Sequence, residues 1–329
     1  MLLPPQTSKS SAPSDAGLQH TLVVDLREAD ATYDRVCATV IHAYSPEYSL
    51  FVDRLQAIVE CDGKDHPRID MVHILCSMNL PDETIYEVLK GLRPRHFNLQ
   101  SSVIEECRLE SLERLAWPLE NLIICSACAD YEGEEPSDVV RLIPSLTLDY
   151  CFHLFFAPAT NAAVRHLTIT QNNAVDMFID LVEKFGVAND LQTLKIQSGN
   201  IGNDFSRYTP ADFTKTLKQC TSLLSLDLAP EISDEDKYGN RRSYLSDLPQ
   251  YFPDSVESLR FSGPVAMADD FSTWLQYATD PSWMPNLQSL AFRLYSSKKS
   301  SPTTLVTEPH VQRFLDTMLA SHPGLQIVS

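Results

Sequence analysis

Glycine and basic residues are the two shortages of this 329-residue chain: 10 glycines, and 26 Lys+Arg against 44 Asp+Glu, for a formal net charge of -18. Few glycines disfavour the backbone loops that cradle phosphates. The deficit of cations argues against nucleic acid, whose phosphates require a basic surface, and against anionic membrane surfaces. No apolar run approaches the ~18 residues of a membrane helix. The opening residues, MLLPPQTSKSSAPSDAG, have neither a basic n-region nor an apolar h-region, so no signal peptide is expected. Residues 1–16 are rich in Pro and Ser and are expected to form a disordered tail. GxSxG, HExxH, GxxxxGKS/T and GxGxxG are all absent. No catalysis and no cofactor are therefore expected.

What is present is enough for a large core: 43% of the residues are hydrophobic and 21% charged. Eight cysteines, at 37, 61, 76, 107, 125, 128, 151 and 220, are scattered through apolar segments. That scatter suits reduced, buried thiols in a cytoplasmic or nuclear protein. Cys125 and Cys128 form a CxxC pair without a second pair of ligands, so zinc is not expected there. Two readings of the pair are thiols packed at a strand end and a redox pair after a strand.

One phrase recurs, apolar-x-x-apolar-x-apolar. It appears as Ile69-x-x-Val72-x-Ile74, Leu119-x-x-Leu122-x-Ile124, Ile143-x-x-Leu146-x-Leu148 and Val164-x-x-Leu167-x-Ile169. It continues as Leu191-x-x-Leu194-x-Ile196, Leu223-x-x-Leu226-x-Leu228, Val256-x-x-Leu259-x-Phe261 and Leu287-x-x-Leu290-x-Phe292. Weaker copies are Leu22-x-Val24, Pro94-x-x-Phe97-x-Leu99 and Leu325-x-Ile327. From Val72 the middle positions advance by 25, 25, 24, 21, 27, 32, 33 and 31 residues. Helical patterns fill the intervals at 173–186, capped by Asn173 and stopped by Gly186, and at 209–220, with Thr209 as N-cap and Pro210 first in the helix. Further patterns lie at 270–279 and at 307–321, the latter capped by Thr307. Strand and helix alternating at a fixed period predict an α/β solenoid, with a parallel sheet of about ten strands inside and helices outside.

These phrases resemble the leucine-rich repeat family, in the irregular form of many fungal F-box-type proteins, over residues 66–329. The resemblance implies a horseshoe that binds other proteins. The family's Asn, separated by two residues from the last apolar position, occurs only as Asn172; Ala127, Cys151, Gly199, Glu231, Pro264 and Tyr295 hold the other places. The turns must then satisfy their backbone groups in another way. Leu80-Pro81-Asp82-Glu83, followed by Ile85, Val88, Leu89 and Leu92, also resembles the first helix of an F-box. That likeness implies docking of the Skp adaptor and substrate recognition in a ubiquitin ligase. The Lys/Arg-Trp pair that ends an F-box is missing from 93–118, and a convex repeat helix is the simpler account. A binding scaffold unrelated to ubiquitin and a thiol enzyme using Cys125 and Cys128 are the competing functions.

Residues 17–65 are expected to cap the open end of the solenoid. A strand at 20–27 precedes two helical faces, Tyr33 to Tyr44 and Phe51 to Val59. Two loops, 229–248 and 295–306, offer a partner-binding or phosphorylated rim, or plain solvated insertions.

Strand side chains alternate, so the positions between the buried ones should line the concave face. One column there is His73, Asn98, Ile123, Thr147, Thr168, Lys195, Asp227, Arg260 and Ala291. The column before it is Asn121, Ser145, His166, Thr193, Ser225, Ser258 and Ser289. Thr193, Lys195, Ser225, Asp227, Ser258, Arg260, Ser289 and Arg293 are the candidate partner-binding residues. Mutual neutralisation of Lys195, Asp227 and Arg260 and capture of a partner's acidic group are the two readings. A monomer with protein partners is expected.

Overall fold

The computed structural model describes residues 20–26, 38–42, 48–64, 68–76, 83–101, 115, 117–125, 143–151, 163–171, 173–198, 207–230, 248–264, 271–295 and 309–328. In chain order these contain β1 (Thr21–Asp25), β2 (Ala38–His42), α1 (Tyr48–Cys61), β3 (Met71–Cys76), α2 (Glu83–Leu89), β4 (His96–Ser101), β5 (Asn121–Cys125) and β6 (Ser145–Asp149). They continue with β7 (His166–Gln171), α3 (Ala174–Phe185), β8 (Thr193–Ser198), α4 (Pro210–Gln219), β9 (Ser225–Pro230) and β10 (Ser258–Pro264). The last are α5 (Ser272–Ala278), β11 (Ser289–Tyr295), α6 (Pro309–Ser321) and β12 (Gln326–Ile327).

The twelve strands form one open sheet in the order β12-β11-β10-β9-β8-β7-β6-β5-β4-β3-β1-β2, and every pairing is parallel. Parallel strands need a crossover between them, and among the described residues α1 to α6 lie in such crossovers. The middle apolar positions of the repeated phrase stack in register. Val72, Leu122, Leu146, Leu167, Leu194, Leu226, Leu259 and Leu290 are each at most 1% exposed. The core lies between this face of the sheet and the helices, closed at its far end by edge-to-face and stacked rings of Phe261, Phe271, Trp274, Phe292 and Phe314.

The strand order departs from a simple stack in one place. Strand β1 sits between β2 and β3, so β2 forms the sheet edge. Residues 38–42, ATVIH, lie within the first of the two expected helical faces and are a strand instead. Thr39, Val40 and Ile41 are consecutive β-branched residues, which are stiff in a helix and pack well on a pleated surface. The second face does form a helix, α1, with Phe51 and Leu55 in the core.

Of the places of the family's Asn, 127, 172, 199 and 231 lie outside the described residues, and the bonds that tie successive repeats are seen at the strand starts. The carbonyl just before one strand accepts two successive N–H groups from the next repeat. Arg95 and His96 donate to Asp70 O (2.9 and 3.1 Å), Leu224 and Ser225 to Gln192 O (2.8 and 3.0 Å), and Glu257 and Ser258 to Leu224 O (2.8 and 3.0 Å). Side chains add rungs: Ser222 Oγ donates to Asn189 O, Ser255 Oγ to Leu223 O and Asn286 Nδ2 to Asp254 O, at 2.7–3.0 Å. Pro264 and Tyr295, two of the places where Asn was expected, remain inside β10 and β11 and pair with each other. Cys151 does occupy the Asn place, and its thiol donates to Ile124 O of the preceding repeat at 3.0 Å.

The helices begin and end largely where sequence signals lie. Thr209 caps α4 through a full capping box: its hydroxyl accepts from Asp212 N, and Asp212 accepts from Thr209 N. Gly186 ends α3 at φ 66°, a conformation that suits glycine. Asn173 precedes α3 but makes no side-chain cap; its Oδ1 accepts from Gln171 Nε2 at 2.6 Å instead. Thr307 falls outside the described residues, as do the 1–16 tail and all but the ends of the two loops at 229–248 and 295–306.

Candidate functional site

The face of the sheet opposite the core displays the expected columns. Thr193, Ser225, Ser258 and Ser289 are direct neighbours across β8 to β11. Lys195, Asp227, Arg260 and Ala291 form the next column, and Ser262 and Arg293 pair in the one after it. Strands β5 to β8 reach this face in the same register, with Ile123, Thr147 and Thr168 leading to Lys195. The hydroxyl column, Lys195 and Asp227 are half-buried, and Arg260 and Arg293 are exposed.

Two members of the expected column do not face solvent. His73 is 5% exposed, because β3 is covered on both faces. Ala291 is buried as well; a single methyl group does not rise above a sheet beside longer neighbours.

The charges at the centre are arranged without direct bonds. Lys195, Asp227 and Arg260 are successive cross-strand neighbours, yet among the described residues no hydrogen bond and no ion pair within 4 Å joins them. Burial pushes the Asp227 carboxyl above its usual range, and the fields of Lys195 and Arg260 offset part of that rise. The expected neutralising ladder is therefore a field at a distance, and both cations keep their donors unspent. On the hydroxyl column His166 Nδ1 and Thr193 Oγ1 are 3.1 Å apart.

Of the cysteine pair, the structure describes Cys125. Cys125 ends β5, half-buried, and burial together with the Asp149 carboxylate pushes its thiol up to about 11. At neutral pH it is protonated, whereas nucleophilic thiol chemistry needs the thiolate. Cys128 lies outside the described residues. Cys220 is pushed up to about 12 by burial. Among the described residues no group of three or more His, Cys, Asp or Glu could hold a metal ion, and no helix is long and apolar enough to cross a membrane.

A polar cluster that the sequence pattern did not announce lies on the helical side. Asp176 and Asp180 stand one turn apart on α3, both buried. Asp176 accepts from Arg207 N at 3.0 Å. Asp180 bonds Lys184 (2.6 Å), the Tyr208 hydroxyl (2.7 Å) and the Arg207 guanidinium. Burial and the bond to Asp180 raise the Tyr208 phenol well above its ordinary range. With both carboxylates matched by cations, the cluster ties the segment before α4 to α3 and offers no vacant acid. The two acids at i and i+4 inside an apolar pattern mark α3 as polar on one side, but nothing in the sequence points to Arg207 as their partner. An apolar hollow beside it is lined, among the described residues, by Val175, Ile196, Phe213, Leu228, Ala229 and Leu248 with Ser198 as the polar side chain, and belongs to interlayer packing.

The helix that resembles an F-box start lies between β3 and β4 and turns Ile85, Tyr86 and Leu89 into the core. No family model and no curated protein matches the chain.

Proposed function

We propose that the chain is a non-catalytic protein-interaction module, an irregular leucine-rich repeat that binds a protein partner on the concave face of β8 to β11. One observation carries the reading. Four neighbouring strands hold small hydroxyls in register beside Lys195, Asp227 and Arg260, on a face left open to solvent. Repeat solenoids use such extended surfaces for binding. The Cys151 thiol bonding the preceding repeat from the Asn place supports the family reading.

The narrower version is substrate recognition in a ubiquitin ligase, as the F-box resemblance implies. It requires the Skp adaptor to dock somewhere other than the buried face of α2. Purification of the tagged chain from cells separates the versions. Skp and cullin co-purify in the ligase version and are absent for an unrelated scaffold. The concave-face reading itself is tested with Ser225→Trp, which fills the hydroxyl column. Partners recovered by the wild-type chain should be lost with the melting temperature unchanged. Partners retained in full would refute binding on this face.

A further inference from the structure

We propose that the occupant of the concave face is an extended acidic segment of a partner protein, with two carboxylates three residues apart and no acid between them. The proposal rests on the reading of that face as the binding surface. Its first support is charge. The chain carries 44 acids against 26 cations, yet the columns of β8 to β11 facing this side hold Lys195, Arg260 and Arg293 against Asp227 alone. A cationic patch on an acidic protein selects an acidic ligand, and the surrounding negative field disfavours bulk binding of unmatched acids.

The second support is that the cations are uncommitted. No hydrogen bond or ion pair among the described residues uses Lys195 or Arg260, and Arg260 and Arg293 are exposed. A guanidinium with free donors can donate two parallel hydrogen bonds to one carboxylate.

Spacing supplies the rest. Lys195 on β8 and Arg260 on β10 are separated by β9. Two strand spacings amount to about 9.6 Å. A polyproline-type extended peptide repeats its face every three residues, about 9.3 Å. A peptide crossing the strands can thus set an acid at i over Lys195 and an acid at i+3 over Arg260. Asp227 lies midway and repels any acid placed between them, so it rejects uniformly acidic tracts. The small side chains of Thr193, Ser225 and Ser258 leave room for the peptide backbone along one side.

The test is selection of a random dodecamer phage library on the full chain, followed by fluorescence anisotropy with the selected peptides. Enrichment of two acids separated by two non-acidic residues is expected. Lys195→Glu with Arg260→Glu should weaken those peptides at least tenfold, as should a third acid inserted between the anchors. Lys195→Gln with Arg260→Gln guards against misfolding and should show a smaller loss in the same direction, at an unchanged melting temperature. Selection of non-acidic peptides, or no selection, overturns the proposal. So does an acidic peptide indifferent to both double variants. Ser225→Trp separates the two levels: peptides lost with it but indifferent to the charge changes leave the concave face standing and sink only acid recognition. Peptides indifferent to all the variants sink both.

Discussion

Strand β3 buries every residue from Val72 to Cys76, whereas β6 buries every second one. Strand β1 resembles β3, and β5, β7 and β8 resemble β6. The backbone pairing is the same parallel ladder throughout. The difference lies in the second face of the strands. In β1 and β3 adjacent apolar residues, Val23 beside Val24 and Ile74 beside Leu75, point to opposite sides, and both sides are covered. In β6 to β9 the first, third and fifth positions are Ser, Thr, Asp, His, Lys and Gln, with Ala229 as the one apolar residue, and none of them is buried. One end of the sheet therefore behaves as an ordinary buried parallel sheet, and the rest as a sheet with one open face. The strand order changes at the same place, where β1 enters between β2 and β3.

The sharpest way to break this comparison is to put the same charge on the same column in both regions. Leu75 and Gln197 occupy equivalent register positions, linked through Gln100, Cys125, Asp149 and Thr170. Leu75→Asp buries a carboxylate beside buried Asp25 and should cost on the order of 4 kcal/mol or more, enough to prevent folding. Gln197→Asp, on an exposed position, should stay within about 0.5 kcal/mol. Urea unfolding followed by circular dichroism measures both. Similar losses at the two sites would show that the second face is equally covered along the sheet.

On the core side the two regions should not differ. Leu194→Ala and Leu122→Ala remove fully buried side chains from the same column and should each cost about 2–5 kcal/mol. A loss below about 1 kcal/mol at either would mean that the column does not carry the packing there. Smaller still is the capping box of α4. Thr209→Ala should cost about 1 kcal/mol. Because hydrogen bonds to Thr209 lower the Asp212 carboxyl, that contribution is present above the ordinary carboxylate range and lost as pH falls through the lowered value.

How much of this was legible follows from what the pattern measures. The recurring phrase located eleven of the twelve strands and the complete register of the open-face columns, because apolar spacing reports which side chains must meet the core. It missed β2, where Val36, Cys37, Val40 and Ile41 fit a helical face while Thr39 to Ile41 favour a strand. It placed His73 in the open because alternation was assumed for every strand, although the unbroken run MVHILC already signals a strand covered on both faces. The neighbour order of β1 and β2 was not legible, since no short-range pattern encodes which strand pairs with which. The Asp176–Asp180–Arg207–Tyr208 cluster was equally hidden, because its cation lies 27 residues beyond Asp180. At the open face, the register of the phrase showed that charges of both signs were adjacent. Only geometry showed that they do not bond.

The mildest change is also the one that separates a charge ladder from a binding surface. Burial raises the Asp227 carboxyl, so the folded protein holds that proton more tightly than the unfolded chain does. The sign follows: the contribution of Asp227 is most favourable below the ordinary carboxylate pKa and declines as pH rises through the raised value. Asp227→Asn removes this dependence. Relative to the wild type, the variant should gain stability between about pH 4 and pH 7, by under ~1 kcal/mol because the site is half-exposed and screened. Were Asp227 the keystone of a neutralising ladder, its loss would leave Lys195 and Arg260 repelling each other, and the variant would instead lose stability over that range. Thermal melts of both proteins at pH 4 and pH 7 decide between these outcomes. In binding, the same substitution should relax the rejection of an acid placed between the two anchors, because the central repulsion is gone while both cations remain.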